Sequence, residues 1–267
     1  MENNNKTSRT FVNIIGIPSL LFIIWYGKML FLFLIGAVML IGASELLSLS
    51  KIKGANPFGL ILYIGLLGIC SCYFLDTNYI LPWIIIVFIL SMSIEIFRSS
   101  KSRFLNISFI SLGMIWLGLL IGSMIYIRFE YGFIITLAMF LSIWTCDTFA
   151  FFFGKNFGNK KILPNISPKK TWLGSLAGLL GSILCLLIFY YGNYFPEQLN
   201  LFNIIILSII YGFFGQLGDF AESAFKRDIG VKDSGDFLKG HGGVLDRFDS
   251  LSFAAPLTLM YLMSLGI

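Results

Sequence analysis

Apolar runs separated by short polar breaks fill the whole chain. They fall at approximately 11–26, 29–49, 57–75, 80–97, 104–127, 131–153, 171–192, 200–221 and 249–266. Most approach the roughly 20 residues a helix needs to cross a bilayer. The pattern predicts an all-α polytopic integral membrane protein with about nine transmembrane helices, folded as a single membrane-embedded domain over 1–267. The first run is short and contains Pro18, which marks a kink or an interfacial entry. Lys6 and Arg9 precede it as in a signal peptide. No small-residue cleavage site follows, however, and a second apolar run starts at once, so the first helix is expected to be retained.

Composition agrees. Of 267 residues 57% are hydrophobic and 12% charged, against roughly 25% charged in a soluble domain. So little charge cannot coat a water-facing surface. The net charge of +5 would suggest nucleic acid in a soluble protein; here the distribution gives it another source. All Lys and Arg except Lys28 and Arg128 fall at the N-terminus or in the breaks after the second, fourth, sixth and eighth runs. The positive-inside rule then sets the N-terminus in the cytoplasm and the C-terminus on the opposite side, with no nucleic-acid partner required. Cytoplasmic segments 154–170 and 222–248 are the largest. Cys70, Cys72, Cys146 and Cys185 all lie in apolar stretches at spacings that fit neither disulfides nor zinc. Gly118-x-x-x-Gly122 and Gly174-x-x-x-Gly178 permit close helix approach.

Carboxylates in or beside a bilayer are expensive and usually have a task. Glu45 and Glu95 read as helix-end anchors, and Glu95 can meet Arg98 three residues on. Asp147 stands inside the sixth run, where another helix must satisfy it or a function must use it. Asp219, Glu222, Ser223 and Lys226 recur at helical spacing on one face. Asp246 and Asp249 share a face at the start of the last run. Helix capping, at about 0.3–1 kcal/mol, explains one of these two but not both with Arg247 between them. Asp219, Asp246 and Asp249 are expected to face one another across the intervening loop. An all-oxygen set selects a hard cation, Mg²⁺ above all, completed by substrate phosphates. Glycines beside it allow close approach of an anion, and the run Lys155, Lys160, Lys161, Lys169, Lys170 adds positive charge. Taken alone, that run also fits a positive-inside flank or an anionic-lipid contact. These residues point to metal-assisted phosphate chemistry at the membrane surface, without naming the reaction.

The stretch Ser223-x-Phe225-Lys226-Arg227-x-x-x-x-Lys232-Asp233-x-Gly235-x-x-Leu238-Lys239-Gly240-His241-Gly242-Gly243-Val244-x-Asp246-Arg247-Phe248-Asp249 resembles the signature of the phosphatidate cytidylyltransferases. "DTFAFFFGK" (147–155), "SPKKT" (167–171) and "GDFAES" (218–223) resemble further motifs of that family, in the same order. The resemblance implies transfer of CMP from CTP to phosphatidic acid, giving CDP-diacylglycerol and pyrophosphate, in a multi-pass protein of the bacterial cytoplasmic membrane with its site facing the cytoplasm. It also implies that Asp219, Asp246 and Asp249 hold Mg²⁺, with room for a second cation, and that Lys226, Arg227, Lys232 and Arg247 hold phosphates. Lys169 and Lys170 after Ser167 would meet nucleotide or lipid phosphate, Asp147 would complete the site, and Ser223, Asp233, Gly242 and Gly243 would contact substrate. His241 serves either phosphate contact or loop positioning; a general base is not needed, because the attacking phosphate is already ionised. Partners on this reading are CTP, phosphatidic acid and the bilayer, with a homodimer allowed. Leu173, Lys239 and Phe151 depart from the family pattern, and none of them replaces an aspartate. A CTP-dependent lipid kinase and a membrane transporter are the competing readings.

Overall fold

A computed structural model describes residues 16–235 and 242–267. Among them are nine helices: α1 (described over Gly16–Tyr26), α2 (Lys28–Ile52), α3 (Gly59–Phe74), α4 (Ile80–Phe97), α5 (Arg103–Glu130), α6 (Gly132–Phe157), α7 (Trp172–Tyr191), α8 (Leu201–Ile229) and α9 (Leu245–Ser264). They fall one to one on the apolar runs. Six of them (α2 and α4 to α8) are long and apolar enough to cross a membrane. At 1.5 Å per residue, the 16 residues of α3 reach about 24 Å, less than the hydrocarbon core of a typical bilayer. Helix α9 opens on Asp246, Arg247 and Asp249, which dilute its apolar character.

Local chemistry sets the breaks. Gly27 at φ +100 separates α1 from α2. Arg128 donates from Nε to Ile24 O (2.8 Å) and from Nη2 to Trp25 O (3.3 Å), satisfying carbonyls that the end of α1 leaves unpaired. Thr171 caps α7 by accepting from Gly174 N at 3.2 Å. Gly230, left-handed at φ 91, ends α8. Two stretches widen to π-helical hydrogen bonding, Met114–Ile121 in α5 and Ile210–Phe214 in α8.

The described residues form two compact units. The first comprises residues 16–130 and 233–247, the second 131–232 and 248–267. In the first, α2, α3 and α5 pack around Phe31, Leu46, Leu62, Leu66 and Leu117, each nearly inaccessible to solvent. A polar knot sits at the ends of α4 and α5. Buried Glu95 pairs with Arg98 at 2.6 Å, as its spacing predicts, and accepts from Asn106 Nδ2 at 2.8 Å. Asn106 also accepts from Asn56 N at 2.7 Å.

In the second unit α6 and α7 pack closely along small residues. A Cβ on Gly174 would stand 2.7 Å from Ala150 O and 3.0 Å from Gly154 Cα, and one on Gly178 2.9 Å from Cys146 Sγ. The Gly174-x-x-x-Gly178 pair therefore works as the sequence suggests. The segment between the two helices closes on itself through Ile162 N to Lys170 O (3.2 Å) and Trp172 N to Lys160 O (3.0 Å).

Candidate functional site

Helix α8 carries acid, hydroxyl and cation on successive turns, and the second unit builds a cavity around the first of them. The cavity encloses about 740 Å³. Asp147, Lys155, Lys161, Ser167, Lys169, Lys170, Ser175, Gln216 and Asp219 all contribute to its wall. Four lysines beside two aspartates give the pocket a net positive lining. Phe151 and Ile162 add apolar surface to the wall, and Phe151, Phe152, Trp172, Leu173 and Leu176 of α6 and α7 are exposed.

Lys170 is the pivot. Its ammonium pairs with Asp219 Oδ2 and lies 4.5 Å from the Phe220 ring centroid. Asp147, Asp219 and Asp249 are near enough to act on one another electrostatically, with Lys170 offsetting part of their repulsion. Helix α9 approaches α8 closely here, since a Cβ on Gly218 would meet Asp249 O at 2.5 Å. Asp249 Oδ1 accepts from Ser250 N at 2.6 Å, and Ser223 Oγ donates to Asp219 Oδ1 at 3.4 Å.

Of the sequence-expected residues, then, the structure gathers Asp147, Ser167, Lys169, Lys170, Asp219, Ser223 and Asp249 in this unit. Lys226 lies one turn on, buried, in an ion pair with Glu222 at 2.6 Å. Arg227 donates to Ile166 O (3.3 Å) and Val231 O (2.9 Å), tying the end of α8 to the segment that bears Ser167, Lys169 and Lys170. Lys232 is exposed in the stretch after α8.

The first unit holds the glycine segment, of which His241 and Lys239 lie outside the described residues. Asp246 is engaged: its Oδ2 accepts from Gly243 N (2.7 Å), Ser234 N (3.0 Å) and Ser234 Oγ (3.1 Å). Gly242 sits at φ +76, and a Cβ there would crowd Asp246 Oδ2 at 2.5 Å, so both conformation and contact call for glycine. Asp233 and Arg247 are exposed. Among the described residues no group of three or more His, Cys, Asp or Glu side chains is arranged to hold a metal ion.

Sequence reasoning missed Gln216 and Ser175. Ser175 Oγ donates to Gln216 Oε1 at 2.6 Å, and Gln216 Nε2 donates to Ser175 O at 3.1 Å. This pair joins α7 to α8 in the cavity wall. An amide within the apolar run "YGFFGQLGDF" was the available signal. It also missed how Glu45 is used. Expected as a helix-end anchor, it accepts from the backbone of Val244 and Leu245.

The model of the cytidylyltransferase family matches residues 7–265. This chain belongs to that family. It is 35% identical over 259 residues to a phosphatidate cytidylyltransferase of Staphylococcus aureus (strain COL), covering 93% of this chain and 96% of that one. It is 34% identical over 264 residues to the phosphatidate cytidylyltransferase of Staphylococcus haemolyticus (strain JCSC1435), covering 96% and 99%. The phosphatidate cytidylyltransferase of Staphylococcus epidermidis (strain ATCC 12228 / FDA PCI 1200) is 35% identical over 254 residues. The match to the family model includes the cavity residues and the glycine segment alike.

Proposed function

We infer that this protein transfers CMP from CTP to phosphatidic acid, forming CDP-diacylglycerol and pyrophosphate. The observation that carries the reading is the cavity of the second unit, where Lys155, Lys161, Lys169 and Lys170 surround Asp147 and Asp219, in a chain whose relatives over nearly their whole length are phosphatidate cytidylyltransferases.

The chemistry asks for little beyond binding and charge. A phosphate oxygen of phosphatidic acid attacks the α-phosphorus of CTP. The new P–O bond forms as the bond to the β-phosphate oxygen breaks, and pyrophosphate leaves with that electron pair. The nucleophile is already an oxyanion, so no serine–histidine pair is needed. The obstacle is repulsion between two anions, which cationic side chains fixed around the phosphates offset. Lys169 and Lys170 follow Ser167 on one edge of the cavity, and the exposed apolar surface of α6 and α7 suits a lipid arriving from the bilayer.

The donor chemistry fits Mg²⁺. Asp219 and Asp249 lie near enough to interact, and Mg²⁺ is typically held through one or two carboxylates together with substrate phosphates. Asp246 joins this set on its motif alone. When bound, the ion would neutralise phosphate charge and polarise the α-phosphoryl group. Lys226, Arg227, Lys232 and Arg247 are proposed phosphate contacts; Ser223, Asp233, Gly242 and Gly243 are proposed substrate contacts. His241 is proposed to position its loop or touch phosphate.

Nine spans, a cytoplasmic N-terminus and a cytoplasm-facing site complete the proposal, supported by the lysine and arginine asymmetry. A homodimer is compatible with it. Purified protein given CTP labelled in the cytidine ring and phosphatidic acid tests the reaction: label recovered in the lipid fraction is the expected outcome. Transfer from γ-labelled CTP instead would indicate a lipid kinase, and no labelled lipid would favour a transporter.

A further inference from the structure

Glu45 is 6% exposed and lies near the cytoplasmic end expected for α2. Its partners stand some two hundred residues further along the chain. Oε1 accepts from Val244 N at 2.7 Å, and Oε2 accepts from Leu245 N at 3.0 Å and from Ser234 Oγ at 2.9 Å. The N–H groups of Val244 and Leu245 belong to the entrance of α9, where a helix leaves donors without intrahelical partners. A carboxylate there satisfies them and complements the positive end of the helix dipole.

The arrangement is tight. A Cβ on Gly243 would lie 2.4 Å from Glu45 Oε2 and 2.1 Å from Ser234 Oγ, and one on Gly235 would lie 3.0 Å from Glu45 Cγ. Ser234, 4% exposed, has one hydroxyl proton and presents it to both Glu45 Oε2 and Asp246 Oδ2. Two carboxylates thus share one hydroxyl and divide the N–H groups of Gly243, Val244 and Leu245 between them. The segment so held bears Asp246 and Arg247. A carboxylate whose only task was to anchor a helix end at the membrane surface would have no use for these partners.

We propose that Glu45 is a positioning residue for the transfer reaction, fixing from α2 the backbone of Gly243–Leu245 and hence the orientation of Asp246 and Arg247. The role rests on the cytidylyltransferase reading. It makes Glu45 important to turnover although it is not expected to touch either substrate.

Glu45→Gln tests it. The variant keeps size and shape, but one acceptor oxygen becomes an NH₂ that must face a backbone N–H. The expected result is a fall in kcat of about thirtyfold with KM for CTP and phosphatidic acid within about threefold of wild type. Faster amide hydrogen exchange at Gly243–Leu245 should accompany it, with the rest of the chain protected as before. A kcat within about twofold of wild type, or a loss confined to KM, overturns the proposal. If Glu45→Gln does not accumulate folded, Ser234→Ala decides, because it removes only the shared hydroxyl. A fall in kcat of about fivefold at unchanged KM is expected, and an unchanged kcat overturns the role. Wild-type protein assayed alongside separates the two levels: if it forms no lipid-linked cytidine, the cytidylyltransferase reading fails, and this role with it.

Discussion

Lys170, from the segment before α7, forms an ion pair with Asp219 of α8. It joins the two elements that line the cavity and sets a cation beside a carboxylate expected to meet one. Both side chains keep about a quarter of their surface exposed (29% and 25%), so the pair contributes little to stability. Its value lies in charge placement. Lys170→Met should lower turnover by about 100-fold, equivalent to about 2.7 kcal/mol of transition-state stabilisation, with little change in thermal midpoint. Labelled-CTP transfer and detergent-solubilised melting measure the two quantities together.

Asp219→Asn should be at least as damaging to activity. It removes the charge that holds Lys170 and half of the proposed carboxylate pair with Asp249. A drop of about 100-fold or more is expected, and raising Mg²⁺ should not restore it. Mn²⁺ binding followed by electron paramagnetic resonance reads the loss of the site independently of turnover.

The knot at Asn106 gives the opposite pattern. Asn106→Ala would leave buried Glu95 with one donor fewer and Asn56 N without its acceptor. A destabilisation of about 1–3 kcal/mol is expected, with turnover per folded molecule close to wild type. Thermal unfolding beside active-site titration checks it.

Gly174→Ala tests the α6–α7 packing. The added methyl meets backbone atoms at 2.7 and 3.0 Å rather than a flexible side-chain end, so the helices must separate. Overpacking of this kind costs about 1–3 kcal/mol. Because Gly174 also lines the cavity, loss of activity should accompany the fall in melting temperature.

Much of the fold was legible because hydropathy reports a solvent boundary directly. Each apolar run became a helix, and Glu95 met Arg98 as a three-residue spacing requires. Segment edges were less legible. Runs ending near 153 and 221 continue as helix to Phe157 and Ile229, since polar residues extend a helix into water until a glycine stops it. The π-helical stretches Met114–Ile121 and Ile210–Phe214 leave no mark in an apolar run.

At the site, Asp147 and Asp219 stood out because a carboxylate in an apolar run is costly. Glu45 stood out for the same reason, but its partners are main-chain N–H groups, which every residue has and no side-chain pattern reveals. The amide of Gln216 was visible in its apolar run, but its pairing with Ser175 was hidden, because it joins two helices through contacts no spacing predicts.

The most direct measurement of the central claim is the fate of the cytidine ring. Purified protein with Mg²⁺, phosphatidic acid and CTP labelled in the base should yield labelled CDP-diacylglycerol together with an equal amount of pyrophosphate. Free CDP with a phosphorylated lipid, or no lipid-linked label at all, would contradict the account.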